Sequence, residues 1–188
     1  TIYSVGIRLV QYAGNLLSKL IGLMTPVFSQ YEGQGDFDSI REKFFFLFKV
    51  GTYISVFFGF LLIVLARPFI ERWVGLGYDE SSVVIFILVI PSVLGMMMVP
   101  SSQVLYGISK HQFLTWINSA EAITNLILSL IFVKFFGIYG VALGTAIPAV
   151  IVRFFIQPVY IARVLNVSWV HIYREMLSAV VKSSLVLA

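Results

Sequence analysis

Arg153 lies near the middle of the stretch from Ile138 to Ala162, which carries no other charged side chain. A helix of about 20 apolar residues is long enough to cross the hydrocarbon core of a bilayer. An arginine at the centre of such a helix costs about 2.5–3.5 kcal/mol on insertion scales, and it faces a protein interior or a water-filled path instead of lipid. Arg8, Lys19 and Glu121 lie in other apolar stretches. Together these ionisable groups predict a site at membrane depth that binds or moves something polar.

Polar residues recur at steps of three or four in three of these stretches, so each set falls on one helical face. The three stripes are Arg8, Tyr12, Asn15 and Lys19; Asn118, Glu121 and Asn125; and Arg153, Gln157 and Tyr160. Three striped helices predict a shared substrate passage, lined by Arg8, Tyr12, Asn15, Lys19, Asn118, Asn125, Arg153 and Gln157. The alternative is a set of hydrogen bonds inside the bundle, in which Glu121 pairs with Lys19 or Arg153.

The composition predicts a polytopic helical membrane protein. Of the 188 residues, 59% are hydrophobic and 12% are charged, whereas soluble domains carry about 25% charged residues. The apolar runs are longer than the ~10-residue alternating segments of a transmembrane barrel. The chain has no cysteine and two histidines, so we expect no thiolate site and no metal site. The net charge of +4 comes from scattered basic residues, a pattern typical of cytoplasmic loops and not of nucleic-acid binding.

Hydropathy predicts an all-α bundle of five transmembrane spans and the start of a truncated sixth. The spans run approximately over Ser4–Ser29, Phe44–Ala66, Val83–Tyr106, Phe113–Phe136 and Ile138–Ala162, and the sixth begins near Met176. The short link before Ile138 predicts adjacent antiparallel helices. Asp38 is the predicted N-cap of the second span. We expect residues 1–188 to form a single transmembrane region that is a piece of a longer protein.

Small residues and prolines modify these spans. Gly140 and Gly144 form a GxxxG pair, and such spacing lets helix backbones approach closely. Prolines inside the spans, such as Pro91 and Pro148, predict kinks. The sequence contains no GxSxG, HExxH or GxxxxGK motif and no carboxylate pair within one span, and these are the residue patterns that hydrolases, zinc proteases and P-loop proteins need. We therefore expect no enzyme activity and no cofactor.

Three segments resemble parts of the bacterial polysaccharide and O-antigen flippases, a family of the multidrug/oligosaccharidyl-lipid/polysaccharide exporter superfamily. They are TPVFSQYEGQGDFDSIREKF (Thr25–Phe44), VLYGISKHQF (Val104–Phe113) and FGIYGVALGTAIP (Phe136–Pro148). The last segment, with its Gly-Ile-x-Gly-Val-Ala-x-Gly-Thr pattern, is the most similar to the family. The resemblance extends from Tyr3 to Tyr173. It implies a two-lobed transporter of twelve to fourteen helices, in which this chain is most of the C-terminal lobe and the first lobe lies outside it.

The resemblance also implies a function, namely export of an anionic, polyprenyl-pyrophosphate-linked oligosaccharide across the bacterial cytoplasmic membrane. Transport would proceed by alternating access and use an ion gradient, with Glu121 as the candidate coupling residue. Arginine and lysine in the passage would bind phosphate oxygens. One alternative is a drug or cation antiporter of the same superfamily, which would favour intramembrane carboxylates over cations. Another is a membrane-embedded glycan ligase or polymerase, which would need a larger loop outside the membrane.

Overall fold

The structure is a computed structural model of the chain, and it describes residues 12, 14–74 and 79–187. This part is helical and contains no strand, so the all-α prediction is confirmed. The helices are α1 (14–22), α2 (Thr25–Gly33), α3 (Phe37–Val74), α4 (Asp79–Met97), α5 (Val99–Gly107), α6 (Gln112–Val150), α7 (Gln157–Val164) and α8 (Trp169–Leu187), and a π-helical turn (Ile151–Ile156) joins α6 to α7.

Three segments in the described part of the chain are long and apolar enough to cross a membrane. They are Phe37–Leu65 in α3, Val83–Gly107 in α4 and α5, and Gln112–Val164 in α6 and α7. Each exceeds the length of about 20 residues that a bilayer requires. Their composition agrees with the prediction of a helical membrane protein.

The longest of these segments is not straight, because α6 turns back on itself at Gly137. The backbone there has φ 55° and ψ −131°, a conformation that only glycine adopts at low cost. The turn separates a first arm, residues 112–136, from a second arm, residues 138–164. Across the turn, Ser129 Oγ donates to Val141 O at 3.4 Å and Thr145 Oγ1 donates to Asn125 Oδ1 at 3.3 Å. The predicted antiparallel pair is therefore confirmed.

The two arms touch through their backbones at Gly140 and Gly144. A Cβ added to Gly140 would lie 2.1 Å from Phe132 O, and one added to Gly144 would lie 2.5 Å from Ser129 N. Both distances are far below van der Waals contact, so no larger residue fits without separating the arms. This close approach is the contact that GxxxG spacing predicts.

The first predicted span, Ser4–Ser29, is wrong as a single helix. Helix α1 ends at residue 22, and α2 begins at Thr25 with Pro26 in its first turn. Proline has no backbone N–H and clashes with the preceding turn, so it is tolerated at a helix start but ends a helix that runs into it. Thr25 Oγ1 donates to Gln103 Oε1 at 2.7 Å, which attaches the start of α2 to α5.

The predicted N-cap of the second span, Asp38, is also wrong, because Asp36 caps α3. Asp36 Oδ1 accepts the backbone N–H of Ser39 at 3.0 Å, and Oδ2 accepts its hydroxyl at 2.6 Å. These hydrogen bonds from Ser39 stabilise the carboxylate and lower the pKa of Asp36. Asp38 instead pairs with Arg41 at 2.5 Å on the surface. Gly35, with φ 72°, ends the preceding turn and makes Asp36 the first residue in position to cap.

Two further boundaries differ from the prediction. The third span is two helices, since α4 ends at Met97 and α5 starts at Val99 with Pro100 in its first turn. The last helix begins at Trp169, well before Met176, because it buries a stripe made of Ile172, Met176, Ala179 and Ser183. This spacing of four, three and four residues is one face of a helix, and α8 is packed against α3.

The main core lies where seven of the described helices, α2 to α8, contribute buried side chains. Phe28 of α2, Phe44 of α3, Leu105 of α5, Ile161 of α7 and Ile172 of α8 are fully buried there. Aromatic side chains bury about 150–250 Å² each and dominate such a core. The packing of Ile161 holds the α7 end of the second arm in the core. The π-helical turn of the same arm contributes Arg153 to a polar cavity.

Candidate functional site

A cavity of about 540 Å³ lies between α1, α4 and the two arms of the hairpin. Its volume is within the 300–1,000 Å³ range of ligand pockets. Most of the wall is apolar and comes from α4. The polar lining residues are Asn15 and Ser18 of α1, Ser92 of α4, Glu121 of the first arm, and Thr145 and Arg153 of the second arm.

Glu121 and Arg153 form an ion pair in this cavity. Arg153 Nη1 lies 2.5 Å from Glu121 Oε1, and it also donates to Ala149 O at 3.4 Å. The two side chains are 29% and 16% exposed, for arginine and glutamate respectively. Glu121 Oε2 is buried and has no hydrogen-bond partner in the described part of the chain. The pair cancels the charge of Arg153 but leaves one carboxylate oxygen unsatisfied.

The π-helical turn and a glycine of α4 make room for the arginine. The turn starts three residues after Pro148, which removes a backbone donor from the α-helical hydrogen-bond pattern. Single π-helical turns inside α-helices occur frequently at functional sites. A Cβ added to Gly95 would lie 2.9 Å from Arg153 Nε. Gly95 thus lets α4 approach the guanidinium group, a role that no pattern in the sequence predicts.

Two of the sequence-predicted passage residues, Asn15 and Arg153, line the cavity, and so does Glu121, the candidate coupling residue. Tyr12, Lys19 and Asn118 are exposed and are not part of its lining. Tyr12 is 67% exposed, so its side chain points away from the protein interior that the structure describes. Arg8 lies outside the described residues.

Asn125 and Gln157 make hydrogen bonds between helices and do not line the cavity. Asn125 Oδ1 accepts from Ser129 Oγ at 3.1 Å and from Thr145 Oγ1 at 3.3 Å, which bridges the two arms. Gln157 is 6% exposed. Its Nε2 donates to Met98 O at 3.3 Å and to Ser102 Oγ at 3.0 Å, where α4 and α5 meet. Both residues therefore make hydrogen bonds inside the bundle, which is the alternative to a place in the substrate passage.

An open apolar groove lies on the other side of α1, between α1 and α3. Its volume is about 390 Å³, and its lining residues are Leu16, Leu17, Leu20, Tyr53, Ile54, Phe57 and Phe58. Helix α1 thus separates a polar cavity from a groove with hydrocarbon walls. Residues 15 and 18 face the cavity, whereas residues 16 and 20 face the groove.

Among the described residues, no three histidine, aspartate or glutamate side chains lie close enough together to hold a metal ion. Comparison with family models, with curated proteins and with solved structures finds no match to this chain. The geometry of the cavity and the resemblance in the sequence are therefore the grounds for a functional assignment.

Proposed function

We propose that this chain is most of one lobe, the C-terminal one, of a membrane transporter that exports a lipid-linked anionic oligosaccharide across the bacterial cytoplasmic membrane. The observation that carries the proposal is the Glu121–Arg153 ion pair in a polar cavity within an apolar bundle. Ionisable groups at membrane depth are costly, and they mark substrate and ion pathways. Alternating access would expose this cavity to each side of the membrane in turn.

The proposal takes each arm of the hairpin as a separate membrane crossing. The first arm, residues 112–136, is about 37 Å long at 1.5 Å per residue, and the hydrocarbon core is about 30 Å thick. Its outward residues, such as Leu126, Leu130 and Phe135, are apolar and exposed, which suits contact with lipid. Counted in this way, α1–α2, α3, α4–α5 and the two arms make five crossings, and α8 begins a sixth.

The polar cavity and the apolar groove on either side of α1 suit the sugar and the hydrocarbon chain of a lipid-linked cargo. Hydroxyl and amide groups of Asn15, Ser18 and Thr145 can bond to a sugar in the cavity. The apolar groove between α1 and α3 suits a hydrocarbon chain. The pyrophosphate linkage and the polyprenyl chain are features that the sequence resemblance implies. A first lobe of the same protein would supply the other wall of the passage.

A drug or cation antiporter is the second candidate function. One observation favours it, namely that Glu121 has an unpartnered carboxylate oxygen next to the cavity. A carboxylate at membrane depth suits a cationic cargo, which is the cargo of this second candidate, and it also suits proton or sodium coupling in either kind of transporter. The two candidates therefore differ in cargo and share the proposed coupling role of Glu121.

The test replaces both charges in the full-length protein in its own cells, because the double variant E121Q/R153Q leaves no unpaired buried charge. We expect surface polysaccharide to fall at least tenfold while the protein level in the membrane stays normal. Asn118→Ala, an exposed position outside the cavity lining, is the matched control and should export normally. Normal polysaccharide in the double variant contradicts the flippase assignment. If its cells instead become sensitive to cationic dyes, the antiporter is favoured.

A further inference from the structure

We propose that Arg153 anchors an oxyanion-binding site that Glu121 covers in this structure. A phosphate-type oxyanion binds when Glu121 leaves the guanidinium and takes up a proton. The inference rests on the proposed function for its choice of ligand class, since a lipid-linked pyrophosphate presents such oxygens. Binding to the site is measurable without transport, so the two claims can fail separately.

The guanidinium group of Arg153 has unused hydrogen-bonding capacity. Arginine offers five N–H donors and binds carboxylates or phosphates through two parallel hydrogen bonds. Every hydrogen bond that the structure gives Arg153 within the described residues uses Nη1, and one of them is a long contact of 3.4 Å. Nη2 remains for a ligand, and together with Nη1 it can make the two parallel hydrogen bonds once Glu121 has left. Gly95 lies against Nε, where an added Cβ would be only 2.9 Å from that nitrogen, so the open edge is the one formed by Nη1 and Nη2.

The carboxylate of Glu121 is incompletely hydrogen-bonded. Glu121 Oε1 contacts Arg153, but Oε2 is buried and has no partner among the described residues. A buried acceptor that is left unsatisfied destabilises the protein, and more so when it is charged. Glu121 is thus a poorly satisfied partner of Arg153, and a ligand with several acceptor oxygens would compete with it well.

The charges that line the cavity link anion binding to a proton. Glu121 and Arg153 are its only ionisable lining residues within the described part of the chain. The facing positions are Gly14, Asn15 and Ser18 on α1 and Ser92 and Gly95 on α4. Among the described lining residues, no second cation would balance an incoming anion. Two anions beside one guanidinium repel each other, so the neutral form of the carboxyl group is favoured. Anion binding and proton uptake are therefore linked.

The cavity has room for this exchange. Its volume is about 540 Å³, well above the space that one phosphate-type group needs and within the range of about 300–1,000 Å³ for ligand pockets. A phosphate-type group can therefore enter beside Arg153 while the Glu121 side chain turns towards Asn15, Ser18 and Thr145. Once protonated, Oε2 becomes a hydrogen-bond donor, and hydroxyl and amide oxygens can accept from it.

The experiment measures sulfate binding to the full-length protein in detergent by titration calorimetry at about pH 6 and about pH 8. Sulfate keeps its charge over this range, so any change in its affinity between the two pH values comes from protonation of the protein. We expect tighter binding at the lower pH and uptake of roughly one proton per sulfate, obtained from buffers with different ionisation enthalpies. E121Q should bind about tenfold more tightly than wild type at the higher pH, equivalent to about 1.4 kcal/mol, with no proton uptake. R153Q should not bind.

Controls separate a binding effect from loss of the fold. Glu121→Ala repeats the test with a smaller side chain, circular dichroism checks each variant, and Asn118→Ala should match wild type. Equal affinity and equal proton uptake in wild type and both Glu121 variants would overturn the covered site. Sodium binding that is lost in E121Q, together with no sulfate binding, would overturn it in favour of a cation site. Sulfate binding without any defect in export of the double variant would instead contradict the proposed function alone.

Discussion

The carboxylate of Glu121 lies 2.5 Å from the guanidinium group of Arg153, although the two residues are 32 positions apart in the sequence. The turn at Gly137 lies halfway between them and brings the two arms together in antiparallel order. A charged residue of each arm thus finds its partner at the same depth. The hairpin is therefore the element that determines the electrostatics of the cavity.

Our first prediction concerns the stability of this pair. Arg153→Ala leaves the carboxylate of Glu121 unpaired, and breaking a fully buried ion pair costs about 3–5 kcal/mol. Because the arginine is partly exposed, we expect the free energy of unfolding to fall by no more than about 3 kcal/mol, the low end of that range. The double variant E121Q/R153Q should lose less stability than the sum of the losses in E121Q and R153Q, since it leaves neither charge without its partner. Thermal unfolding in detergent measures each variant. Additive losses would mean that the two side chains do not interact.

The sequence predicted the hairpin but not the partner of Arg153. Turn chemistry and the GxxxG spacing are local signals, so the antiparallel arms and the roles of Gly140 and Gly144 could be deduced from neighbouring residues. The partner of Arg153 depends on how whole helices are rotated and on the depth at which they meet. Helical spacing gives the face of a side chain on its own helix, and it left Lys19 and Arg153 as equal candidates to pair with Glu121.

The missed features have the same cause. Gly95 makes room for Arg153 because the second arm passes close to it. No residue pattern within α4 predicts that contact. The break at Met98 follows from Pro100 two residues later, yet Pro91 and Pro68 lie inside continuous helices. A proline alone therefore does not decide whether a helix ends, because tertiary packing determines whether the lost hydrogen bond is tolerated.

The second prediction tests the contact between the arms. Gly144→Ala places a Cβ 2.5 Å from the backbone N of Ser129, and the backbone cannot move away as a side chain would. We expect a loss of about 1–3 kcal/mol, typical of overpacking. Gly33→Ala is the matched control, because a Cβ there meets no atom within 4 Å. Melting temperatures in detergent compare the two, and equal values would show that the arms separate easily.

The third prediction concerns the junction of α4 and α5. Gln157→Ala removes the hydrogen bonds from Nε2 to Met98 O and Ser102 Oγ, while Met98 O keeps the backbone N–H of Ser102 at 3.2 Å. We expect the free energy of unfolding to fall by about 1–2 kcal/mol, since a typical hydrogen bond contributes about 0.5–1.5 kcal/mol net, and hydrogen exchange near residue 98 to become faster. Gln112→Ala, at an exposed position at the start of the first arm, should change neither quantity. Unchanged exchange at the junction in the Gln157 variant would mean that Gln157 does not hold it.

The fourth prediction uses pH to test the cap of α3. Hydrogen bonds from Ser39 lower the pKa of Asp36, so the folded state favours the ionised carboxylate more than the unfolded state does. The cap therefore contributes stability above the ordinary pKa of an aspartate, and the contribution is lost as the pH falls through the lowered value. Asp36→Ala should reduce the melting temperature near neutral pH and have little effect in strong acid.

Asp38→Ala is the matched control for the cap, because Asp38 is an acidic side chain two residues away that makes only an exposed pair with Arg41. Surface pairs of this kind contribute little, so its melting temperature should stay close to that of wild type at every pH. Circular dichroism at a series of pH values records both variants. If Asp38→Ala lowers the melting temperature more than Asp36→Ala near neutral pH, then α3 begins at the position that the sequence alone predicted, and the cap at Asp36 is refuted.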